Sequence, residues 1–345
     1  MPGVGAVAVL SVCEQPRAPT RAGQAGARTV GAMSAPTPSP GGPPRRERAP
    51  AGVFVGATSM DHIYLIDQPV GTNGRQCARR HLSVAGGNAT NAAVAFAALG
   101  GEATLVTAIG TGPVADAVRA ELAGRGLHVI DTAAADPCGP VVSSCMVWSV
   151  TGERSIVSSG APHQPSESGC ELMSGLLSDA DVVVLDSYQP SLTLPAARNA
   201  RALGVPVIFD VDRWDSGTVD LLGQVDLALC SAELVVPGRA DVLGAVLAGG
   251  PSFAALLAGG SPVSWRSAAS RGALSVPAVR VVDTTGAGDI LAGAFAYAFA
   301  AGRQAGAALR AQEAVDALAF GVQVASASCT RFGTRDWILD LPPRA

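Results

Sequence analysis

Apolar residues fall along this 345-residue chain in two kinds of run. The first kind is short and unbroken, at 53–57, 103–110, 181–185, 205–209 and 227–230. Such runs predict parallel strands covered on both faces. The second kind is longer and rich in Ala and Leu. It predicts helices from Asn88 to Leu99, over 113–125 with Gly126 as the stop, and over 194–203, 290–301 and 305–328. Two stretches alternate instead. Residues 62–67 read as a half-exposed strand that 75–82 could pair with, and 141–150 with 154–158 reads as a hairpin turning at Thr151-Gly152. The spacing of Val142, Ser144, Met146 and Trp148 marks them as the hairpin's covered face. A last apolar strand, 274–282, leads into a glycine-rich turn. The pattern is that of an α/β chain with a mostly parallel central sheet between helical layers, plus a separate small sheet from about 62–82 and 141–158.

Residues 1–50 carry Pro, Gly, Ala and Arg with few bulky apolar residues. They cannot bury enough surface to offset chain entropy and are expected to be a disordered tail before one domain over 51–342. Leu10-Ser11-Val12-Cys13 faintly resembles a lipoprotein cleavage site, but no basic residue precedes it and the apolar run is short, so export is not expected. Met33 is an alternative start. Net charge is −4, which gives no basic surface for nucleic acid, and no run is long and apolar enough for a membrane span. All 24 basic residues are Arg, so no lysine takes part in any chemistry. The seven cysteines form no C-x-x-C pair and the four histidines no short metal motif. That scatter suits a reducing cytoplasm.

Chemistry concentrates in three places. In Asp283-Thr284-Thr285-Gly286-Ala287-Gly288-Asp289, the glycines expose backbone and the N–H groups of the following helix lack intrahelical partners. That cradle favours anions, and the carboxylate of Asp289 beside it suits a proton acceptor in phosphoryl transfer. A bare G-x-G would be no more than a turn with an Asp cap; the full string is more specific. In Ala85-Gly86-Gly87-Asn88-Ala89-Thr90-Asn91, two glycines let a ligand touch backbone. Asn88 and Asn91, three apart, share a helix face that suits sugar hydroxyls. Asn88 could equally be only an N-cap. Ser59-Met60-Asp61 follows the first strand, at the edge where open α/β sheets bind ligands.

These three strings together resemble the ribokinase-like (PfkB) carbohydrate kinase family, over about 53–338. Within it, Gly86 to Asn91 and Phe320 to Ala325 look most like ketohexokinase. Ser59 to Tyr64, Thr151 to Arg154 and Cys329 to Arg331 look closer to sulfofructose kinase. The resemblance implies a ribokinase-like three-layer fold with a β-sheet lid that also forms a homodimer interface. It implies ATP with Mg²⁺ as phosphoryl donor, Asp289 as catalytic base, and the backbone of Gly286, Ala287 and Gly288 as anion hole. Asp61, Gly87, Asn88 and Asn91 would hold sugar hydroxyls. Ser231, Gly260, Gly286 and Gly288 would lie on the nucleotide side, and Asp283 and Thr285 would bind a monovalent cation such as K⁺.

The nucleotide side departs from the family pattern. Where N-x-x-E is usual, this chain has Ser231-Ala232-Glu233-Leu234. The usual T-x-G-x-x-G loop survives only as Leu257-Ala258-Gly259-Gly260-Ser261. Arg75 and Arg154 lie in the expected lid strands and, turned inward, would clamp an anionic substrate; turned outward they are surface charges. Asp116, after the Gly110 loop, would approach the sugar end and repel an anion, which favours a neutral ketose or related sugar. Two other readings stand beside a sugar kinase. One is a nucleoside kinase of the same fold. The other is a sugar-binding protein with little kinase activity.

Overall fold

The computed structural model describes residues 48–164, 173–303 and 306–342. Residues 1–47 of the expected tail lie outside the described residues. The strands are β1 (Ala51–Val55), β2 (Ser59–Ile66), β3 (Arg80–Gly86), β4 (Glu102–Thr107), β5 (Leu127–Asp131), β6 (Val141–Trp148), β7 (Arg154–Ser158), β8 (Val182–Leu185), β9 (Val207–Val211), β10 (Leu227–Ser231), β11 (Phe253–Leu257), β12 (Val263–Ser267) and β13 (Arg271–Leu274). The helices are α1 (Asn88–Ala98), α2 (Pro113–Ala123), α3 (Met173–Leu177), α4 (Pro190–Leu203), α5 (Ser216–Leu222), α6 (Val242–Ala248), α7 (Ala287–Gly302) and α8 (Ala311–Ser328).

The large sheet has the order β13-β12-β11-β10-β9-β8-β1-β4-β5. It is parallel from β11 to β5, with β12 and β13 added antiparallel at one edge. Alternate strand residues enter opposite cores, which is why the strand runs carry few polar positions. Phe54, Leu105 and Val184 pack with α1, α2, α7 and α8, whereas Val53, Val55, Val183 and Phe209 pack with α4, α5 and α6. The three-layer arrangement is the expected one. α1 and α7 cross closely because Gly293 lacks a side chain; a Cβ there would lie 2.2 Å from Ala92 O. This crossing brings the start of α7 beside Asn91.

The second sheet, β3-β2-β6-β7, joins the two alternating stretches as expected. Four details differ. β3 begins at Arg80 rather than 75 and runs to Gly86, because 75–79 do not alternate whereas Leu82 and Val84 do. On β6 the buried positions are Ser143, Cys145 and Val147, and Val142, Ser144, Met146 and Trp148 are only half-buried. The covered face carries the small Ser143 and Cys145 where it lines a cleft, and Val147 where it meets the small sheet's own core. Residues 275–282 are not a strand: the ladder ends at Leu274, Pro277 has no N–H to donate, and Val282 N–H bonds instead to Cys329 O at 2.8 Å. α8 starts at Ala311 with Arg310 as its cap, and 304–305 lie outside the described residues. β5, β11, β12, most of β13, α3, α5 and α6 were not expected. Among the described residues no helix is long and apolar enough to cross a membrane.

Candidate active site

A cleft of about 810 Å³ opens between the carboxyl ends of the parallel strands and the small sheet. Among its lining residues are Asp61, Gly87, Asn88, Asn91, Arg154, Ser231, Gly260, Thr285, Gly286, Ala287, Gly288 and Asp289, brought together from across the chain. Asp283 is buried outside it.

Gly286 caps α7 in a left-handed conformation (φ 69°), which a side chain would strain. Ala287 N–H donates to Thr284 O at 3.3 Å and Ile290 N–H to Gly286 O at 2.8 Å, which leaves the amides of Gly286, Gly288 and Asp289 at the open end of the helix, beside the cleft. Asp289 follows in the first turn. Its Oδ2 accepts a hydrogen bond from Asn91 Nδ2 at 2.8 Å. Burial pushes its carboxyl up to about 6, and the Asn91 bond and the Arg154 charge oppose that rise.

Asn91 is held in turn. Arg335 Nη1 donates to Asn91 Oδ1 at 2.9 Å and to Thr334 Oγ1 at 2.9 Å, and Nη2 donates to Ala85 O at 2.5 Å. Glu121 Oε1 lies 3.7 Å from Arg335 Nε. Arg335 is 5% exposed, and burial lowers its guanidinium to about 10, so it stays charged at neutral pH. The chain Glu121–Arg335–Asn91–Asp289 therefore fixes the carboxylate from behind. Sequence reading missed Arg335 entirely.

Asn88 is the first residue of α1 and not its cap; Gly87 is the cap, without a side-chain bond. Asn88 Nδ2 donates to Asp210 Oδ2 at 3.2 Å. The two asparagines thus share a face, as expected, but each meets a carboxylate. The glycine pair before them has a packing role. A Cβ on Gly86 would lie 1.9 Å from Asp61 Oδ2, and one on Gly87 would lie 2.3 Å from Ala57 O. These glycines admit the β1–β2 connection, and Gly87 also lines the cleft. Asp61 accepts from Ser59 Oγ at 2.7 Å, and burial raises its carboxyl.

Three further carboxylates were not anticipated. Asp186 follows β8, and Asp210 and Asp212 lie at and just beyond the end of β9. Asp186 accepts N–H groups from Ala57 (2.7 Å), Ala89 (3.3 Å) and Tyr188 (2.9 Å), which pins β1 and α1 to β8; burial pushes it up to about 7. Burial, then the charges of Asp289 and Asp212, raise Asp210 well above the carboxylate range. Asp212 Oδ1 is buried without a partner. Each follows an apolar parallel strand, where ligands bind in open α/β sheets, so their positions were a usable signal.

Other expectations need correction. Asp116 faces away from the cleft, with a side chain 77% exposed and paired to Arg119. Arg75 takes the outward alternative, as an exposed surface residue, and needs no correction. Arg154 does reach the cleft, where its Nη1 donates to Thr284 Oγ1 at 3.0 Å. Both oxygens of Asp283 accept backbone N–H groups at 2.8 Å, from Thr285 and Gly333, and Thr285 Oγ1 lies 3.4 Å from Cys145 Sγ. In the altered 231–234 segment, Leu234 is buried in the core while Ser231 and Glu233 line the cleft. Beyond them an apolar wall of Leu257, Val276, Val279, Val322 and Ala325 closes the far end.

A family model described as pfkB family carbohydrate kinase matches residues 52–340. The chain is 30% identical over 235 residues to the bifunctional protein HldE of Caulobacter vibrioides, covering 63% of this chain and 48% of that protein. It thus spans about half the length of that curated relative. Similar solved structures include the ribokinase of Giardia lamblia (TM-score 0.70, 20% identity, 86% of this chain and 96% of that one). The Arabidopsis thaliana ribokinase complexed with ribose and ATP is also similar (TM-score 0.64, 22% identity, 86% and 96%), as is the Xylella fastidiosa fructokinase with bound ATP (TM-score 0.65, 22% identity, 85% and 95%). At these identities the structures show a shared fold.

Proposed function

The chain belongs to the pfkB family of carbohydrate kinases, and on that premise we propose that it transfers the γ-phosphoryl group of ATP to a hydroxyl of a neutral ketose or related sugar. The observation that carries this reading is Asp289, half-buried beside the amides at the start of α7 and held there by Asn91. In the reaction Asp289 takes the proton of the attacking hydroxyl. The new bond forms between that oxygen and phosphorus as the bond to the ADP oxygen breaks. The amides of Gly286, Ala287 and Gly288 stabilise the charge on the moving group. Asp61, Gly87 and Asn88 are assigned to the sugar. Ser231, Gly260 and the apolar wall are assigned to the nucleotide.

Neutral substrates follow from charge. Asp61, Asp210, Asp212 and Asp289 line the cleft, whereas among the described residues Arg154 is the one cation that lines it, and it is already bonded to Thr284. Asp116 plays no part in this. The unpartnered Oδ1 of Asp212 and the carboxylate of Glu233 are hard oxygen donors that fit Mg²⁺. Bound there, the ion would neutralise charge on the transferred phosphates. Each oxygen of Asp283 accepts one amide N–H and keeps a further lone pair, so Asp283 with Thr285 stays assigned to a monovalent cation such as K⁺, to which no step is assigned. A homodimer is proposed through the outer face of the small sheet. There Met146 and Trp148 are half-buried, and Tyr64 stacks on His81 at 4.6 Å.

The test is ATP consumption with Mg²⁺ across ketoses, aldoses, sulfosugars and nucleosides. Turnover with neutral ketoses supports the proposal. Preference for nucleosides, or sugar-induced thermal stabilisation without turnover, replaces it with a nucleoside kinase or a sugar-binding protein.

The proton acceptor also sets the pH profile. With Asp289 raised to about 6, kcat/KM is expected to rise with pH through a midpoint near 6 rather than near the usual 4. Asn91 donates to the ionised carboxylate and so holds that value down. Asn91→Ala is expected to move the rising limb to higher pH as well as lower the plateau. An unmoved limb in that variant would remove Asn91 from the positioning of the base.

A further inference from the structure

Outside the cleft, Asp136, Cys138 and His163 converge at the base of the small sheet. One ligand atom from each lies within 4.8 Å of the others, and His163 Nε2 is 2.7 Å from Asp136 Oδ2. Cys138 is exposed, and the other two are half-buried. The short-motif search missed them because Cys138 and His163 are separated by the whole β6–β7 hairpin.

From this cluster we infer a zinc site, with thiolate, imidazole and carboxylate as three protein ligands and a water completing a tetrahedron. Sulfur and imidazole together favour a borderline-soft ion such as Zn²⁺ over the hard Mg²⁺ of the phosphoryl donor. Ligand atoms about 2.0 to 2.3 Å from one zinc ion sit about 3 to 4 Å apart. To reach that spacing the hydrogen-bonded His163–Asp136 pair, now 2.7 Å apart, has to open slightly and the exposed Cys138 thiol has to turn toward it. On binding, the Cys138 thiol proton leaves to solvent as the S–Zn bond forms.

The backbone holding these side chains is fixed on both sides. Asp136 O accepts from Thr111 N at 2.9 Å and Thr111 Oγ1 at 3.0 Å, and Asp136 N–H donates to Ala133 O at 2.8 Å. Across the site, His163 O accepts from Gln189 Nε2 at 2.9 Å, and Gln189 is fully buried. The site therefore needs side-chain adjustment alone. Its place in the fold gives it a consequence. Asp136 and Cys138 lie on the segment entering β6, and His163 lies on the segment leaving β7. Gly160 and Pro162, next to His163, line the cleft. A bound ion ties together the two connections on which the small sheet is hung.

The test uses the full chain stripped of metal with a chelator and titrated with Co²⁺, whose charge-transfer absorption band appears only when a thiolate is a ligand. The expected result is a band that saturates at one equivalent and is bleached by Zn²⁺. It should be absent in Cys138→Ser and need at least about tenfold more Co²⁺ in His163→Ala. Both variants lie outside the phosphoryl-transfer machinery, and their thermal unfolding checks that they fold. A divalent ion held by the cleft carboxylates gives no such band. Absence of the band in the wild type, its persistence in Cys138→Ser, or failure of Zn²⁺ to bleach it overturns the assignment.

Discussion

Asp289→Asn is expected to lower kcat by about 10² to 10⁴ while leaving sugar binding and folding intact. The amide keeps the size of the carboxyl, and its oxygen still accepts the Asn91 Nδ2 bond now made at 2.8 Å. What it removes is the proton acceptor. It also removes a buried negative charge that Asp212 and Asp61 oppose, so thermal stability should hold or rise. Steady-state kinetics with sugar-induced thermal shifts measure both sides. A kcat within tenfold of wild type would assign the proton to another group, and Asp210, buried and bonded to Asn88, is the nearest alternative.

The parts of this site that could be read from the sequence are those encoded in short dense strings. Gly286 to Asp289 and Gly86 to Asn91 each place a turn, a helix start and a polar side chain within a few residues, so local chemistry suffices. Arg335 could not be read that way. It is a single Arg in a loop after α8, and its partners Ala85, Asn91 and Glu121 come from the other end of the chain. Asp186, Asp210 and Asp212 each lie directly beyond an apolar strand run, but as single residues with no dense string around them to mark them. The reversed face of β6 has a physical cause. Bulk usually marks the buried side, but a face that must leave room for a ligand carries Ser143 and Cys145. The false strand at 274–282 has the same origin, since Val276, Val279 and Val281 are apolar because they wall the cleft. β11 (Phe253-Ala-Ala-Leu-Leu257) is too short and too Ala-rich to be told from a helix by periodicity.

The other large effect is expected at Arg335. Replacing it with Met keeps an unbranched apolar stem but withdraws the donors to Asn91 Oδ1, Thr334 Oγ1 and Ala85 O. Glu121 retains Arg125, with Nη2 2.6 Å from Oε1, but its Oε2 is already buried without a partner. Removing one member of a buried charged network typically destabilises by about 3 to 5 kcal/mol, because the polar groups left behind stay out of water. Arg335→Met should therefore unfold at markedly lower denaturant concentration. Activity should fall further than the folded fraction explains. Asn91 would be free to turn its amide, presenting oxygen rather than nitrogen to Asp289 and repelling the carboxylate it now stabilises. Arg335→Lys separates the two effects: one ammonium can restore the charge and part of the stability, but it cannot bridge Ala85 O and Asn91 Oδ1 with a planar fork. Denaturant titration and kcat measured on fully folded protein report each effect. A Met variant within about 1 kcal/mol of wild type and with unchanged kcat would show that Asp289 is held by Asn91 alone, and the chain of contacts behind it would be packing without a part in the reaction.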